Sequence, residues 1–383
     1  MAARRQRVAQ LEIFAREIQE RFETSKYWEY EKFLGNGSYG VTVLLRETNL
    51  FVVRQKRIAL KLARRGAAAG IQQLRTELRY LKRLRGAKHI VRMVASCDNL
   101  NSFRTAEQQR NDATASPIKR IVESFGKLLR LSPTTAFGPL EGLMQGPAIA
   151  LEYLDKGDLV RLKENMDVAQ EILPNRVLWS LFLCLIRACI GMAYPLGRPE
   201  GTPSVLETIP ADGTRPGAIC HNDIAARNVM IASGDGLDEH GINHLFKLID
   251  FGSAQVYGPP RGPPENLFDC AKVMFYLMST DQIPLFPTVF KGEITRAGSI
   301  LPDEDNPNDD PYSQIDLDLR DLVARCMYAD SSKRPTLQQA LDEALAALNK
   351  DLEDFPDAYE ETDDNIRGVF QDYIFDVPDN NFR

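Results

Sequence analysis

The stretch Gly217–Ile231, GAICHNDIAARNVMI, places three polar side chains at fixed intervals between apolar residues. His221, Asp223 and Asn228 form the pattern HxDxxxxN, and a further carboxylate, Asp250, follows in LIDFG. The runs NVMI and LFKLID are typical of a short strand pair, which would bring an amide and two carboxylates together. The four histidines of the chain lack metal-like spacing, so we expect His221 to pack and to shape the loop.

The composition indicates a globular intracellular protein. The chain has 383 residues with 44% apolar content, which is ample for a continuous core. Its net charge of −6 gives no global reason to expect nucleic acid or an anionic membrane as partner. The six scattered cysteines, without CxxC pairs, indicate reduced core residues and a location in cytoplasm or nucleus. The longest apolar run, Leu178 to Tyr194, contains Arg187 and predicts a buried helix.

Hydrophobic periodicity predicts an α+β fold with a β-rich N-terminal part, here named the N-lobe, and a mainly helical C-terminal part, here named the C-lobe. The acidic C-terminal tail carries aromatic residues and is either flexible or a strap docked through Phe370, Tyr373 and Phe375. The predicted segments are an amphipathic helix (1–28), the N-lobe (29–154) with an insertion (96–147), the C-lobe (155–349) with loop insertions (195–216 and 232–244), and the tail (350–383).

Two further motifs precede the opening stretch. LGNGSYG, Leu34 to Gly40, fits GxGxxG but leads into the strand-like VTVLL, whereas a dinucleotide-binding loop opens a helix. This order favours a hairpin folded over phosphates, although an ordinary glycine hairpin remains the alternative. Lys61 lies in the apolar strand IALK and needs an anion, because an unpaired buried amine is costly. Glu77 on the following helix could pair with it while the amine holds nucleotide phosphates.

These residue types suit phosphoryl transfer. The reaction requires a carboxylate that accepts or orients the acceptor hydroxyl, and Asp223 has that position in the pattern. It also requires oxygen ligands that hold Mg²⁺ on the β and γ phosphates, a role that Asn228 and Asp250 suit.

The motifs, in this order, resemble those of the eukaryotic protein kinase superfamily over roughly residues 30–349. The resemblance implies a bilobal, protein-kinase-like fold with a small β-rich N-lobe and a larger, mainly helical C-lobe, and it implies ATP and Mg²⁺ as cofactors. The segment ALEYLDKGDL resembles the family's hinge, with Leu151 as gatekeeper. By the same resemblance Asp269 would brace the catalytic loop, and Arg334 would pair with Glu265. The implied site comprises Asp223, Lys61, Glu77 and Arg227 for catalysis, Asn228 and Asp250 for metal, and Leu34, Gly35, Gly37, Gly40, Thr42, Ala59, Lys61, Glu152, Leu154 and Met230 for the nucleotide.

Four departures from the family pattern bear on function. Thr42 replaces the usual Val, and its methyl group can still cover adenine. Asn222 replaces the arginine that clamps a phosphorylated activation loop in many relatives, so we expect that switch to be absent. Arg227 with Ala225 resembles the tyrosine-kinase form of the loop and still supplies one cation near the γ-phosphate. The segment between Asp250 and Glu265 is much shorter than in ordinary protein kinases.

Three functions follow as expectations. The first is transfer of the ATP γ-phosphate to a protein Ser, Thr or Tyr hydroxyl, independent of activation-loop phosphorylation. The short segment also fits small-molecule kinases of the aminoglycoside or choline kinase type. The third is a pseudokinase-like, ATP-binding interaction protein that binds partners through its insertion or tail.

Overall fold

The computed structural model describes residues 13–20, 22–23, 25, 27–36, 40–48, 56–63, 68–98, 147–232, 239, 241–258, 261–279, 286–303 and 309–377. The predicted insertion (96–147) lies outside these residues except at its two ends, and so does most of the loop insertion at 232–244. Gly37 also lies outside them. Within the described residues the protein is a mixed α+β fold, as the sequence predicts.

The N-terminal part is built on one antiparallel sheet, whose strands follow the order β1-β2-β3-β5-β4. A single helix, α1, lies in the chain between β3 and β4. The elements are β1 (Trp28–Asn36), β2 (Gly40–Glu47), β3 (Arg57–Ala63), α1 (Ala68–Arg83), β4 (Met93–Cys97) and β5 (Ala148–Glu152).

The two faces of this sheet bury different partners because side chains alternate along each strand. On β3, Ile58, Leu60 and Leu62 are buried in one cluster with Phe14, Ile18 and Phe22 of the N-terminal helical segment. The prediction that an N-terminal amphipathic helix packs on the following domain is therefore confirmed for the described residues. The alternate residues, Ala59 among them, face the second and larger core. This second face carries the candidate site.

The C-terminal part surrounds one long helix, α3, whose apolar window is 94% buried inside the fold. Length and composition alone would let α3 cross a membrane, but this burial is that of a core helix, as predicted for the longest apolar run. The elements are α2 (Leu159–Ala169), α3 (Asn175–Ala193), β6 (Ile219–Cys220), β7 (Val229–Ala232), β8 (Leu245–Leu248), β9 (Gln255–Val256), α4 (Gly262–Met278), β10 (Thr288–Phe290), β11 (Glu293–Thr295), α5 (Leu317–Cys326), α6 (Leu337–Ala347) and α7 (Asp363–Phe370).

Three two-stranded ribbons complete this part, and they pair β6 with β9, β7 with β8, and β10 with β11. The β7–β8 ribbon confirms the strand pair predicted from NVMI and LFKLID. It also joins the two parts of the protein, because the Val91 amide donates to the Leu248 carbonyl at 3.0 Å and the Leu248 amide to the His89 carbonyl at 2.9 Å.

The loop at 195–216 lacks helix and extended strand, as its proline and glycine content predicts. One buried carboxylate, Glu207, fixes it to the fold. Glu207 accepts from the His89 amide at 2.8 Å and lies 2.6 Å from His89 Nδ1, while its carbonyl accepts from Arg187 at 2.7 Å.

The C-terminal segment is docked, which decides between the two predicted states in favour of the strap over residues 351–377. Phe370 is buried, and its ring meets His244 edge-on at 4.4 Å. The Tyr373 carbonyl accepts from Asn165 Nδ2 at 2.9 Å, and the Lys156 ammonium lies 4.2 Å above the Phe375 ring. The three aromatic residues predicted to dock the strap all make contacts.

The strap also caps the central helix. The residue before α3, Pro174, provides no side-chain cap. Instead, the buried carboxylate of Glu361 accepts from the Asn175 amide at 2.7 Å and the Arg176 amide at 2.8 Å. A carboxylate at a helix N-terminus satisfies unpaired amides and interacts favourably with the helix dipole.

This cap generates a stability prediction. Replacing Glu361 with Leu leaves buried α3 amides unpaired, so we expect the free energy of unfolding to fall by about 2–4 kcal/mol. Asp364→Asn is the matched control, because Asp364 is in the same segment with its side chain 98% exposed, and its effect should stay within about 0.5 kcal/mol. Urea denaturation of the full chain measures both. Equal midpoints for the two variants would contradict the capping role.

Candidate active site

The site is organised around the amine of Lys61 on β3. Its Nζ lies 2.6 Å from Glu77 Oε2 on α1 and 2.9 Å from Asp250 Oδ1, which follows β8. Glu77 is buried, with a side chain only 1% exposed, while Asp250 is 35% exposed. The predicted pairing of Lys61 with Glu77 is confirmed, and the structure adds Asp250 to the same amine.

Within this cluster the attraction between opposite charges offsets the cost of burying them. Burial disfavours the Lys61 ammonium, but Glu77 and Asp250 outweigh it and raise the pKa of Lys61. Burial also opposes ionisation of Asp250, yet Lys61 holds the pKa of Asp250 below its usual range. The pKa of Glu77 is raised by its burial, which Lys61 opposes. Lys61 is therefore an ammonium, and Asp250 a carboxylate, at neutral pH.

The position of Asp250 is fixed by the backbone that follows it. Asp250 adopts a left-handed conformation with φ 63°, and its Oδ1 accepts from the Gly252 amide at 3.3 Å. Helix α1 packs against this turn so closely that a Cβ on Gly252 would lie 2.7 Å from Gln73 Cγ. Phe251 is buried in the core. The helix that supplies Glu77 thus also packs against the turn after Asp250.

The loop between β6 and β7, residues 221–228, carries the second group of functional side chains. Arg227 Nη2 donates to one carboxylate oxygen of Asp223. Asn228 Nδ2 donates to the other oxygen at 3.0 Å and to the Asp223 carbonyl at 2.8 Å. The structure therefore brings together Asp223, Arg227 and Asn228, the three site residues that the sequence predicts in this loop, and the Arg227 guanidinium binds the Asp223 carboxylate.

His221 packs beneath this loop, as predicted. It is fully buried and meets the Phe251 ring edge-on at 4.6 Å. Its Nε2 lies 3.0 Å from the Ile249 carbonyl, and the Asp223 amide donates to Nδ1 at 3.3 Å. These partners assign the neutral imidazole with its proton on Nε2. Burial lowers the pKa of His221 to about 4.

Two predicted metal ligands, Asn228 and Asp250, stand at one end of the β7–β8 ribbon. Val229 pairs with Leu248, and the Ile249 amide donates to the Asn228 carbonyl at 2.9 Å. Among the described residues there is no group of three or more His, Cys, Asp and Glu side chains arranged so that it could hold a metal ion. Two protein oxygens nevertheless suit Mg²⁺, which usually keeps several waters and shares phosphate oxygens. The Asn228 amide nitrogen is held by Asp223, so its oxygen is the atom suited to a cation.

The glycines of the β1–β2 hairpin differ in role. A Cβ on Gly35 would meet nothing within 4 Å, which leaves room for a ligand beside the backbone. A Cβ on Gly40 would lie 2.2 Å from the Leu62 carbonyl oxygen. Close contact with β3 therefore requires glycine at position 40, independently of the predicted approach to a nucleotide.

The remaining predicted nucleotide contacts lie on the sheet that carries Lys61, directly after its strand β5, and on the β7–β8 ribbon. Thr42 is the cross-strand neighbour of Lys61, Ala59 pairs with Leu151 on β5, and Met230 pairs with Lys247. Leu34 lies in β1, and Leu154 follows β5 and is half-buried.

Glu152 at the end of β5 is held from both parts of the protein. Its carboxylate accepts from the Arg92 amide at 2.7 Å and from Lys247 Nζ at 2.6 Å. Because Lys247 lies on β8, which leads to Asp250, one ion pair connects the predicted hinge to the strand before the site.

Sequence reasoning missed Asn266, which braces the loop from α4. Asn266 Oδ1 accepts from the His221 amide at 3.0 Å, and its Nδ2 donates to the Ile219 carbonyl at 2.8 Å. The prediction gave this role to Asp269, which instead binds Lys272 at 3.0 Å. Both residues lie on α4, one turn apart, and the family pattern alone assigned the role to the carboxylate of Asp269.

A second contact below the site agrees with prediction. Arg334 Nη1 lies 3.6 Å from Glu265 Oε1 and donates to the Pro264 carbonyl at 3.0 Å. The guanidinium also lies 4.5 Å above the Phe268 ring. Arg334 therefore fixes the first turns of α4, from which Asn266 reaches the loop.

Comparison of the sequence with models of known protein families found no match. The chemistry open to this site must therefore be argued from its own geometry. That geometry is an ammonium shared by two carboxylates, beside a third carboxylate bound by an arginine and an amide. Such a set can bind a polyanion with a divalent cation and can accept a proton from a nearby hydroxyl.

Removal of the brace should destabilise the loop. In Asn266→Leu the His221 amide loses its buried acceptor, and we expect the free energy of unfolding to fall by about 1–3 kcal/mol. Asp269→Asn, which changes the residue one turn away, should cost less than about 1 kcal/mol. Urea titration of both variants measures the difference. A larger loss in Asp269→Asn would restore the original assignment.

The low pKa of His221 predicts a pH dependence. A histidine whose pKa is lower in the folded than in the unfolded protein contributes stability above its unfolded pKa of about 6.5, and this is lost as pH falls toward 4. We expect this group to lower the free energy of unfolding by about 3 kcal/mol between pH 7 and pH 4. His221→Asn should flatten that part of the curve. NMR titration showing an imidazole pKa near 6.5 at His221 would contradict the prediction.

Proposed function

We propose that this chain is a Mg²⁺- and ATP-dependent phosphotransferase of the protein-kinase-like type, and that its acceptor is a hydroxyl of a protein. In this proposal the antiparallel sheet with α1 and the helical part are two lobes, and the nucleotide binds between them. The observation that carries the proposal is the position of Lys61 between Glu77 and Asp250. An ammonium fixed by a buried carboxylate and adjacent to an exposed one is suited to phosphate oxygens and a cation together.

Each side chain has a distinct part in the proposed reaction. Glu77 holds the Lys61 amine, which binds phosphate oxygens of the nucleotide. Asp250 and the Asn228 side-chain oxygen would hold Mg²⁺, which would supply positive charge to neutralise the phosphates of the nucleotide. The sheet side chains Ala59 and Thr42, with Met230 opposite, cover the base, while the backbone of Glu152 and Leu154 pairs with its edge.

Asp223 orients the acceptor hydroxyl and takes its proton as the oxygen bonds to the γ phosphorus and the bond to ADP breaks. A carboxylate has about four lone-pair sites, so the contacts from Arg227 and Asn228 leave capacity for the hydroxyl. Arg227 has a side chain 59% exposed, which lets it turn from Asp223 toward the transferred phosphoryl group. This cation stabilises the charge that develops in the transition state.

Two substitutions test the proposal. Lys61→Ala and Asp250→Asn should each reduce phosphate transfer by about 10²-fold or more, because each removes a group that binds the transferred phosphoryl unit or its cation. Arg57→Ala is a control on the same strand, since Arg57 is paired with Glu31 at the surface. The assay measures Mg²⁺-dependent transfer of labelled γ-phosphate to mixed peptides and to a cellular metabolite extract. Unchanged labelling in both variants would refute the proposed function.

A small-molecule kinase is the second candidate, favoured by the short segment after Asp250. The chain passes from the turn at Phe251–Ser253 into the two-residue strand β9 and then into α4, which begins at Gly262. Labelling of metabolites but of no peptide in the same assay would support this candidate over the first. Nucleotide binding without turnover would support the interaction-protein alternative.

A further inference from the structure

Asn222 connects the 221–228 loop to the backbone after Asp250. Its Nδ2 donates to the Ser253 carbonyl at 3.0 Å. Asn222 has φ 62°, in the left-handed region that Asn tolerates better than other residues with a side chain. The side chain is exposed, so packing does not require Asn at this position.

We propose that Asn222 is a positioning residue that holds the 250–257 segment in its active arrangement, so that no phosphate is needed to order it. The proposal rests on the proposed function, because it assigns the regulation of that same site. The amide contributes two properties at once, a backbone that accepts positive φ and a donor aimed at the segment.

The Asn222–Ser253 hydrogen bond lies between other contacts that join the chain around the 221–228 loop to the chain after β8. On one side of it, His221 Nε2 contacts the Ile249 carbonyl, and on the other the Tyr257 amide donates to the Ala218 carbonyl at 3.0 Å. Strands β6 and β9 pair between these points. The loop and the segment are thereby joined at both ends and at Ser253, close to the metal-binding position.

A longer cationic side chain at position 222 would not reproduce this bond. An arginine carries its donors several bonds farther from the backbone, where they suit a carboxylate or phosphate better than a neighbouring carbonyl. A β-carbon without an oxygen or nitrogen to bond locally also makes positive φ less favourable. Asn222 therefore holds the segment by a permanent hydrogen bond, whereas an arginine at this position would be suited to a contact that forms only with a phosphate.

The test uses two variants that keep the left-handed conformation accessible. Asn222→Gly removes the donor, and Asn222→Asp replaces it with an oxygen that repels the Ser253 carbonyl. Gln170→Gly is the matched control, because Gln170 is an exposed left-handed residue, φ 61°, at the end of α2. Hydrogen exchange is followed by mass spectrometry in peptides that cover residues 250–257 of the full chain.

We expect amide exchange in that segment to accelerate about three- to tenfold in Asn222→Gly, and at least as much in Asn222→Asp, the range that one lost hydrogen bond predicts. Gln170→Gly should leave the segment unchanged. Transfer assays should show kcat reduced by a similar factor and a higher Mg²⁺ requirement, with KM for the acceptor unaltered. Treatment of the wild-type protein with phosphatase should alter neither exchange nor kcat.

The two proposals fail in different ways. Unchanged exchange in both Asn222 variants, or a loss of activity on phosphatase treatment, would overturn the positioning role even if the protein transfers phosphate. Absence of transfer by the wild-type protein would refute the proposed function, while the exchange experiment would still decide whether Asn222 orders the segment.

Discussion

The site depends on one buried electrostatic cluster, in which a single amine holds carboxylates from two different elements. Lys61 comes from β3, Glu77 from α1 and Asp250 from the turn after β8. Removing charges from water is costly, and well-packed apolar residues often stabilise a fold at least as well as a buried ion pair. Loss of one member would leave an uncompensated buried charge. The cluster therefore serves mainly to position β3, α1 and the turn after β8 relative to one another, and it contributes less to the stability of the fold.

The charge of this cluster explains why it is suited to a further cation. Lys61 holds the pKa of Asp250 below its usual range, while burial raises the pKa of Glu77. Glu77 is buried and confined to Lys61, whereas Asp250 is partly exposed and keeps a second oxygen for another partner. Asn228 stands at the same end of the β7–β8 ribbon. The carboxylate oxygen of Asp250 that Lys61 does not bind thus lies at the exposed side of the cluster, where it is suited to a divalent ion that carries phosphate oxygens.

The sequence predicted the parts of the structure whose signals are local. The α+β class, the β7–β8 ribbon and the pair Lys61–Glu77 follow from hydrophobic period and motif order, whereas the pair Arg334–Glu265 was expected only from the resemblance to a family pattern. The sequence left undetermined those features whose deciding partner lies far along the chain. Glu361 caps α3 from 186 positions away, and Gly40 is required by the carbonyl of Leu62 on the next strand. Local sequence contains neither partner.

Asn222 and Asn266 show how two amides do work that the pattern assigned to charged residues. Asn266 joins the 221–228 loop to α4 through one accepted and one donated bond, and Asn222 joins the same loop to Ser253. An amide offers a donor and an acceptor without the desolvation cost of a charge, so these three bonds persist independently of pH and salt. The loop is thus joined to α4 and to Ser253 without the use of a charged side chain. This constraint agrees with the direct passage from the site into α4, because a segment with both ends fixed leaves little chain to rearrange.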